Sequence, residues 1–292
     1  YLNILFENKN YRLIFLASVL QQLGTWGNLI ACLKIIEGHG GSGVKAATVY
    51  FLRSLPSVVL FPIAGYLADK YDRKLVMIAS NVLSMLTALS FVILTYTDSL
   101  TLLFILIFAK NACSTIYDPA KRAAIPMFVD AKELHIAMTL DGVAWSSMLA
   151  LGAALGGLMT SSLGLRVCFI LDASGYMGSV CCLLFLPQLR EECHQEVAAA
   201  SGASLNLGYA FQNLKKLARE FASDTIVIFN KPSLRVSLLY ATMKATGGIV
   251  WGPADVLNLK WSERENLQIF SDLALTLGFS YAFVGVGCFI GP

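Results

Sequence analysis

The chain has 292 residues, of which 56% are hydrophobic and 14% charged, and its mean hydropathy is +0.64. Soluble domains carry about 25% charged residues, so this composition excludes an ordinary water-soluble globular protein. The net charge of +3 and the pI near 8.4 do not indicate a nucleic-acid-binding protein.

Eight apolar runs follow one another along the chain, and each is long enough to cross a hydrocarbon core of about 30 Å. A bilayer accepts only helices and closed barrels, because every backbone group must be satisfied internally. These runs lack the alternation of barrel strands. The sequence therefore predicts an all-α polytopic membrane protein with spans at residues 12–35, 46–68, 75–97, 100–118, 136–163, 167–187, 233–257 and 269–292.

Lysine and arginine are concentrated in one of the two alternating sets of segments between these runs. That set includes the N-terminus, the turn before the third run and the long break after the sixth run. By the positive-inside rule these segments are expected in the cytoplasm. We predict a plasma-membrane or bacterial inner-membrane protein with a cytoplasmic N-terminus.

The longest break between apolar runs divides the chain into three predicted parts. Residues 1–189 form a six-helix bundle, 190–232 a cytoplasmic linker, and 233–292 the start of a second, incomplete bundle. Within the linker, apolar residues recur at helical spacing between basic ones, which is typical of an amphipathic helix on the membrane surface. A plain tether between two bundles is an equally good and compatible interpretation. The apolar residues are Leu207, Phe211, Leu214, Ala218 and Phe221.

The segment from Gly65 to Lys74, between the second and third runs, reads Gly-Tyr-Leu-Ala-Asp-Lys-Tyr-Asp-Arg-Lys. It resembles the Gly-x-Leu-x-Asp-Arg-x-Gly-Arg-Lys loop of major facilitator superfamily transporters, but departs from it at Lys70 and Asp72. The resemblance implies a fold of two six-helix halves with the substrate site between them. It also implies a conformational latch on the cytoplasmic side, although a simple positive-inside turn would give a similar pattern. The latch residues would be Gly65, Asp69, Arg73 and Lys74.

Segment 117–126 and Asp172 resemble one branch of this superfamily, and a glycine motif resembles its antiporters. The segment 117–126 is similar to the Pro-Ala-Arg-x-Ala-x-x-Pro segment of the drug-efflux-like branch, which includes macrolide and siderophore exporters, and Asp172 also looks like that branch. Gly152, Gly156 and Gly157 resemble the antiporter motif Gly-Pro-x-x-Gly-Gly, with Ala153 in place of the proline. These glycines predict close helix packing, and by resemblance they imply antiport with protons.

Ionisable residues within the predicted spans are candidates for the substrate and ion path, because each costs about 2.5–3.5 kcal/mol on insertion scales unless it is paired or hydrated. Three cations and one carboxylate would favour a substrate with an anionic group. The alternative is that some of these residues pair structurally or reach the interface. The candidates are Arg53, Lys110, Asp141 and Lys244, with the polar residues Gln21, Gln22, Thr25 and Asn28 on the first span.

The remaining residue types predict no catalytic site, no metal site and no cofactor. The seven cysteines lie mostly within apolar runs and are expected to be small apolar fillers. The three histidines have no partners at ligand spacing, and no glycine-rich phosphate loop is present. Uphill transport would then depend on an ion gradient.

The leading hypothesis is a secondary transporter that exports a small amphipathic or anionic molecule by alternating access. Its expected partners are membrane lipids, the substrate and protons. A lysophospholipid flippase of the same fold, or a non-transporting receptor or scaffold, are the alternatives. Because the chain ends within an apolar run, we expect it to be a longer transporter truncated after about the eighth helix.

Overall fold

The computed structural model describes residues 3–41, 43–97, 99–188, 254–263 and 270–290. The chain divides into two compact units, one formed by Tyr1–Arg190 with Asn258–Pro292 and the other by Glu191–Leu257. All described residues except 254–257 belong to the first unit. The predicted linker helix, most of the predicted span 233–257 and Lys244 lie outside the described residues, so the predicted three-part division stays a prediction.

Nine helices, numbered here in chain order, make up nearly all of the described residues. Short 3-10 segments extend α4 and α5 at Phe91–Thr95 and Ile125–Met127. The α-helices are α1 (Asn3–Glu7), α2 (Lys9–Gly38), α3 (Gly43–Lys70), α4 (Arg73–Ser90), α5 (Leu100–Ala124), α6 (Leu134–Ser162), α7 (Leu165–Leu184), α8 (254–262) and α9 (Leu273–Ile290).

Six helices among the described residues, α2 to α7, are long and apolar enough to cross a membrane. They coincide with the first six predicted spans, and the prediction of an all-α polytopic membrane protein is confirmed. The helix α9 falls within the eighth predicted span and is a shorter apolar helix. The turn after the second span is tighter than the sequence suggested, because α3 continues to Lys70 and α4 begins at Arg73.

Side-chain caps fix where several of these helices begin. The Asn8 side chain accepts a hydrogen bond from the backbone N–H of Tyr11 at 3.0 Å. The Asp72 side chain accepts one from the backbone N–H of Lys74 at 2.8 Å. Each cap satisfies a donor that the first turn of a helix leaves without an intrahelical partner, so the helices start at defined residues.

The helix α2 lies at the centre of the described bundle, against α6 on one side and α7 on another. The helix α5 packs on α3 and α4, and α4 also packs on α7. On its second face α6 packs against α9. The residues contributed by α2 are therefore the ones best placed to reach several neighbouring helices.

Glycines allow the backbones of α2, α6 and α9 to approach closely. A Cβ atom added at Gly152 would lie 2.8 Å from the carbonyl oxygen of Leu23, and one at Gly156 would collide with Gly27. One at Gly157 would meet the backbone of α9. In lipid such contacts between small residues favour helix association through van der Waals packing, so these glycines set the spacing of the three helices.

Candidate functional site

A buried ion pair between Lys110 on α5 and Asp172 on α7 lies at the centre of the bundle. Its two side chains are 4% and 0% exposed. At about 1.5 Å per residue, Lys110 is some 15 Å from the start of its helix and Asp172 about 10 Å from the start of its own. A lone charge at such a depth would be costly, so each residue neutralises the other inside the membrane-spanning region.

The helix α2 surrounds this pair with small and polar residues. A Cβ atom at Gly24 would lie 2.6 Å from the Cα atom of Asp172, so the position admits little more than a glycine. Asn28 is also buried near Asp172, but within the described residues neither its Nδ2 atom nor the Oδ1 atom of Asp172 forms a hydrogen bond. The hydroxyl of Thr25 lies 3.1 Å from that of Tyr176, whose ring is 5.4 Å from the Lys110 ammonium group. The pair is thus enclosed by polar and aromatic groups rather than by lipid.

Arg53, on α3, lies beside this pair and is only half-buried. Its guanidinium carbon is 5.8 Å from the centre of the Trp26 ring, and its charge acts on both Lys110 and Asp172. The Trp26 ring contacts Trp145 edge-on, with the ring centres 5.7 Å apart. Within the part of the chain that the structure describes, Arg53 donates no hydrogen bond and forms no ion pair.

The structure brings together most of the residues that the sequence nominated for a substrate path. Arg53, Lys110, Thr25 and Asn28 meet around the ion pair, and Gln21 is buried one turn before Thr25 on α2. Gln22 is on the same helix and half-buried, while Lys244 lies outside the described residues.

Asp141 is the path candidate that the structure places elsewhere. Its carboxylate accepts hydrogen bonds of 2.8 and 3.0 Å from Lys121, whose side chain is buried, near the start of α6 and the end of α5. Nearby, the Tyr11 hydroxyl donates to the carbonyl of Ala137 at 3.0 Å. Asp141 therefore belongs to a second charge pair at one end of the bundle and does not join the pair at its centre.

Aromatic residues of the central site were missed by the sequence argument, which looked for ionisable and amide groups. Trp26 directly follows Thr25, and Trp145 follows Asp141 by one helical turn, so both lie next to residues that the sequence did nominate. Tyr176 follows Asp172 by one turn. A search for aromatic residues within one turn of each path candidate would have found Trp26 and Trp145. It would have missed Tyr176, because Asp172 was singled out only for its resemblance to one branch and not as a path residue.

The predicted latch residues lie where α3 ends and α4 begins. Lys74 donates to the carbonyl oxygens of Leu184 and Leu186 at 2.9 and 2.5 Å, and so joins the start of α4 to the end of α7. Arg73 lies 2.8 Å from the sulfur of Met127, and Asp69 is exposed at the end of α3. A Cβ atom at Gly65 would meet no atom within 4 Å.

A group of polar contacts lies at the opposite end of the bundle. Lys34 forms ion pairs with Glu37 at 2.7 Å and with Asp272 at 3.0 Å. Partial burial raises the pKa of Asp272, but hydrogen bonds from Lys34 and from the backbone N–H of Leu275 outweigh burial and hold that pKa below its usual range. Lys260 donates to the carbonyl of Gly41 at 2.7 Å. These contacts join the end of α2 to the segments around α8 and α9.

The chain matches the family described as transmembrane secretion effector over residues 5–219. It belongs to this family of major facilitator superfamily transporters. Among curated relatives, this major facilitator chain is 28% identical over 187 residues to the uncharacterized MFS-type transporter YfiS of Bacillus subtilis. The aligned region covers 63% of this chain and 44% of YfiS. The chain is 26% identical over 172 residues to YkuC of the same organism, another uncharacterized MFS-type transporter, covering 58% and 39%.

Solved structures with this fold include peptide transporters. A mutant peptide transporter of the POT family aligns with a TM-score of 0.59 at 11% identity, covering 97% of this chain and 67% of that one. A bacterial homologue of human drug peptide transporters aligns with a TM-score of 0.54 at 14% identity, covering 87% and 58%. At such identities the likeness concerns the fold alone.

These comparisons confirm the predicted superfamily and, with the six spans, an integral membrane protein. The chain spans less than half the length of the curated relatives it matches. Its assignment to the drug-efflux-like branch and its truncation after about the eighth helix stay predictions.

Proposed function

We propose that the full-length protein is a secondary transporter that exports a small amphipathic or anionic molecule by alternating access. The observation that carries this proposal is the buried Lys110–Asp172 pair, with Arg53 beside it, in the middle of a major facilitator bundle. Charged residues at this depth are costly and mark substrate and ion pathways in membrane proteins. The family match and the transporter fold support the same activity.

In this proposal the path passes Arg53, Lys110, Asp141 and Lys244, together with the polar residues Gln21, Gln22, Thr25 and Asn28. Arg53 would face the substrate, whereas Lys110 and Asp141 are each held in an ion pair beside the path. Protons are the coupling ion that we propose. Protonation of Asp172 would remove the partner of Lys110 and so loosen the contact between α7 and α5. A change in helix contact that depends on proton binding is what coupling to a proton gradient requires.

We further propose that the turn between α3 and α4 is a latch on the cytoplasmic side, with the N-terminus on that side too. Asp69 is exposed there and would meet a partner in the second half of the transporter, while Arg73 and Lys74 attach the start of α4 to its neighbours. Gly65 lies within α3, before this turn, and would allow another helix to approach closely. Membrane lipids would surround the apolar outer faces of the helices.

Transport by the full-length protein in proteoliposomes tests this proposal. With a pH gradient imposed, we expect gradient-dependent movement of small anionic amphiphiles, which is lost in Arg53→Gln and in the double variant Lys110→Met/Asp172→Asn. The matched control is Arg122→Gln, which removes an exposed cation at the end of α5. The proposal would be contradicted by transport that persists in both variants. It would also be contradicted by transport whose rate does not change when all ion gradients are dissipated.

A further inference from the structure

Arg53 is a cation in the middle of a membrane helix, and it donates no hydrogen bond to any residue that the structure describes. It lies about 15 Å from the start of α3, at about 1.5 Å per residue. A guanidinium group carries five N–H donors, and among the described residues none of them has an acceptor. Its contact with the Trp26 ring of α2 places it on the inner side of α3 rather than on the lipid side.

Two tryptophans adjoin this arginine. Trp26 of α2 lies under the guanidinium, and Trp145 of α6 meets Trp26 at an interplanar angle of 75°. The close approach of α2 and α6 brings the two indoles together, because the Cβ position of Gly152 is 3.0 Å from the Cβ atom of Trp26. Trp145 remains 40% exposed. We call Arg53, Trp26 and Trp145 the arginine–indole surface.

The charge of this surface comes from Arg53 rather than from the buried pair. Lys110 is neutralised by Asp172, and both are enclosed, so neither offers a free charge to a ligand. The charge that is left over at the centre of the described bundle is a single positive one. A ligand that compensates it carries one negative charge.

We propose that the arginine–indole surface binds small aromatic carboxylates. An arginine stacked on an aromatic ring still presents its edge, and that edge matches the two oxygens of a carboxylate. An aromatic ring next to the carboxylate then packs on the indole of Trp145, in a stacked or edge-on arrangement. That this ligand is also the transported molecule rests on the proposed function. Binding of the ligand to the surface does not, because it is measured without transport.

The test is equilibrium binding of three probes to the purified full-length protein in detergent. The probes are naphthalene-2-carboxylate, its neutral carboxamide, and cyclohexanecarboxylate, which keeps the charge but has no aromatic ring. We expect the naphthoate to bind at least about tenfold more tightly than the carboxamide, since a hydrogen-bonded charge is lost in the amide. It should bind roughly threefold to tenfold more tightly than the saturated acid.

Variants assign these preferences to residues. Arg53→Gln should abolish the preference for naphthoate over its carboxamide, and Arg53→Lys should restore only part of it because the planar fork is lost. Trp145→Leu and Trp26→Leu should abolish the preference for naphthoate over the saturated acid. Trp261→Leu is the matched control, because the Trp261 side chain on α8 is 62% exposed, and it should keep both preferences. Retained carboxamide binding by Arg53→Gln shows that this variant is folded.

Three results would overturn the inference: no saturable naphthoate binding below about 1 mM, equal binding of the saturated acid, or preferences that survive the Arg53 and tryptophan variants. These results are separate from failure of the proposed function. Naphthoate binding with the expected residue dependence, but no transport, would leave the site standing and reject transport. Transport of other compounds without naphthoate binding would do the opposite.

Discussion

Removing one member of the Lys110–Asp172 pair is expected to destabilise the protein far more than removing both. The two side chains are 4% and 0% exposed, so a single substitution leaves the other charge buried without its partner. Breaking a buried pair in this way costs about 3–5 kcal/mol, whereas replacing the whole pair by neutral groups is often close to neutral.

The two single variants should also differ from each other, because Arg53 lies near both charges. In Lys110→Met the remaining Asp172 carboxylate still has a cation nearby, which offsets part of its burial cost. In Asp172→Asn the remaining Lys110 ammonium and Arg53 repel each other. The free energy of unfolding should therefore fall more in Asp172→Asn than in Lys110→Met.

Reversible unfolding in mixed detergent micelles, followed by tryptophan fluorescence, measures these differences in the wild type, both single variants and the double variant. Lys260→Met is a suitable control, since its ion pair with Glu263 is 39% and 18% exposed and should contribute less than about 1 kcal/mol. Its hydrogen bond to the Gly41 carbonyl should add about 1 kcal/mol, so the control remains well below the single variants. The reasoning is refuted if either single variant costs as little as the control. It is also refuted if the double variant loses the full sum of the two single losses.

Three further predictions concern the rest of the described bundle. Gly156→Ala should lower the free energy of unfolding by about 1–3 kcal/mol, because its Cβ would meet the backbone of α2, whereas Gly65→Ala, which meets open space, should not. Lowering the pH through the depressed pKa of Asp272 should remove the stabilisation that its pair with Lys34 provides, since the carboxylate is charged only above that pKa. The difference in free energy of unfolding between wild type and Asp272→Asn should then vanish in acid. A difference that stays constant with pH would contradict this. Lys74→Met should cost about 1 kcal/mol and increase hydrogen exchange at the end of α7, where no change would exclude its bridging role.

The spans were predictable because crossing a bilayer imposes a length and a composition on each helix separately. Six predicted runs correspond to α2–α7 without any knowledge of how these helices pack. The glycines at 152, 156 and 157 were also visible, since close approach in lipid demands small residues. Which helix each glycine meets depends on the bundle, and the sequence carries no local signal for it.

The charge pairs were not predictable in the same way. Lys110 and Asp172 are separated by 62 positions in the chain, and they become neighbours only because α5 and α7 both pack against α4. For Asp141, depth along its helix did not show whether the residue lies at the centre of the bundle or at its end. It lies about 10 Å from the start of α6, at about 1.5 Å per residue, and Lys121 from the end of α5 reaches it there.

Arg53 and Lys110 are both cations at mid-depth, but their surroundings give them different roles. Lys110 is held by a carboxylate, an aromatic ring and a close helix contact at Gly24, so its charge is neutralised before any ligand arrives. Arg53 is held mainly by stacking on Trp26, which stabilises a cation without neutralising it. Arg53 is charged but donates no hydrogen bond to any described residue, so an anion that binds it displaces no partner from that part of the chain. In the proposed site, anion recognition is therefore assigned to Arg53, and a change in the buried pair would alter helix contacts without competing for the ligand.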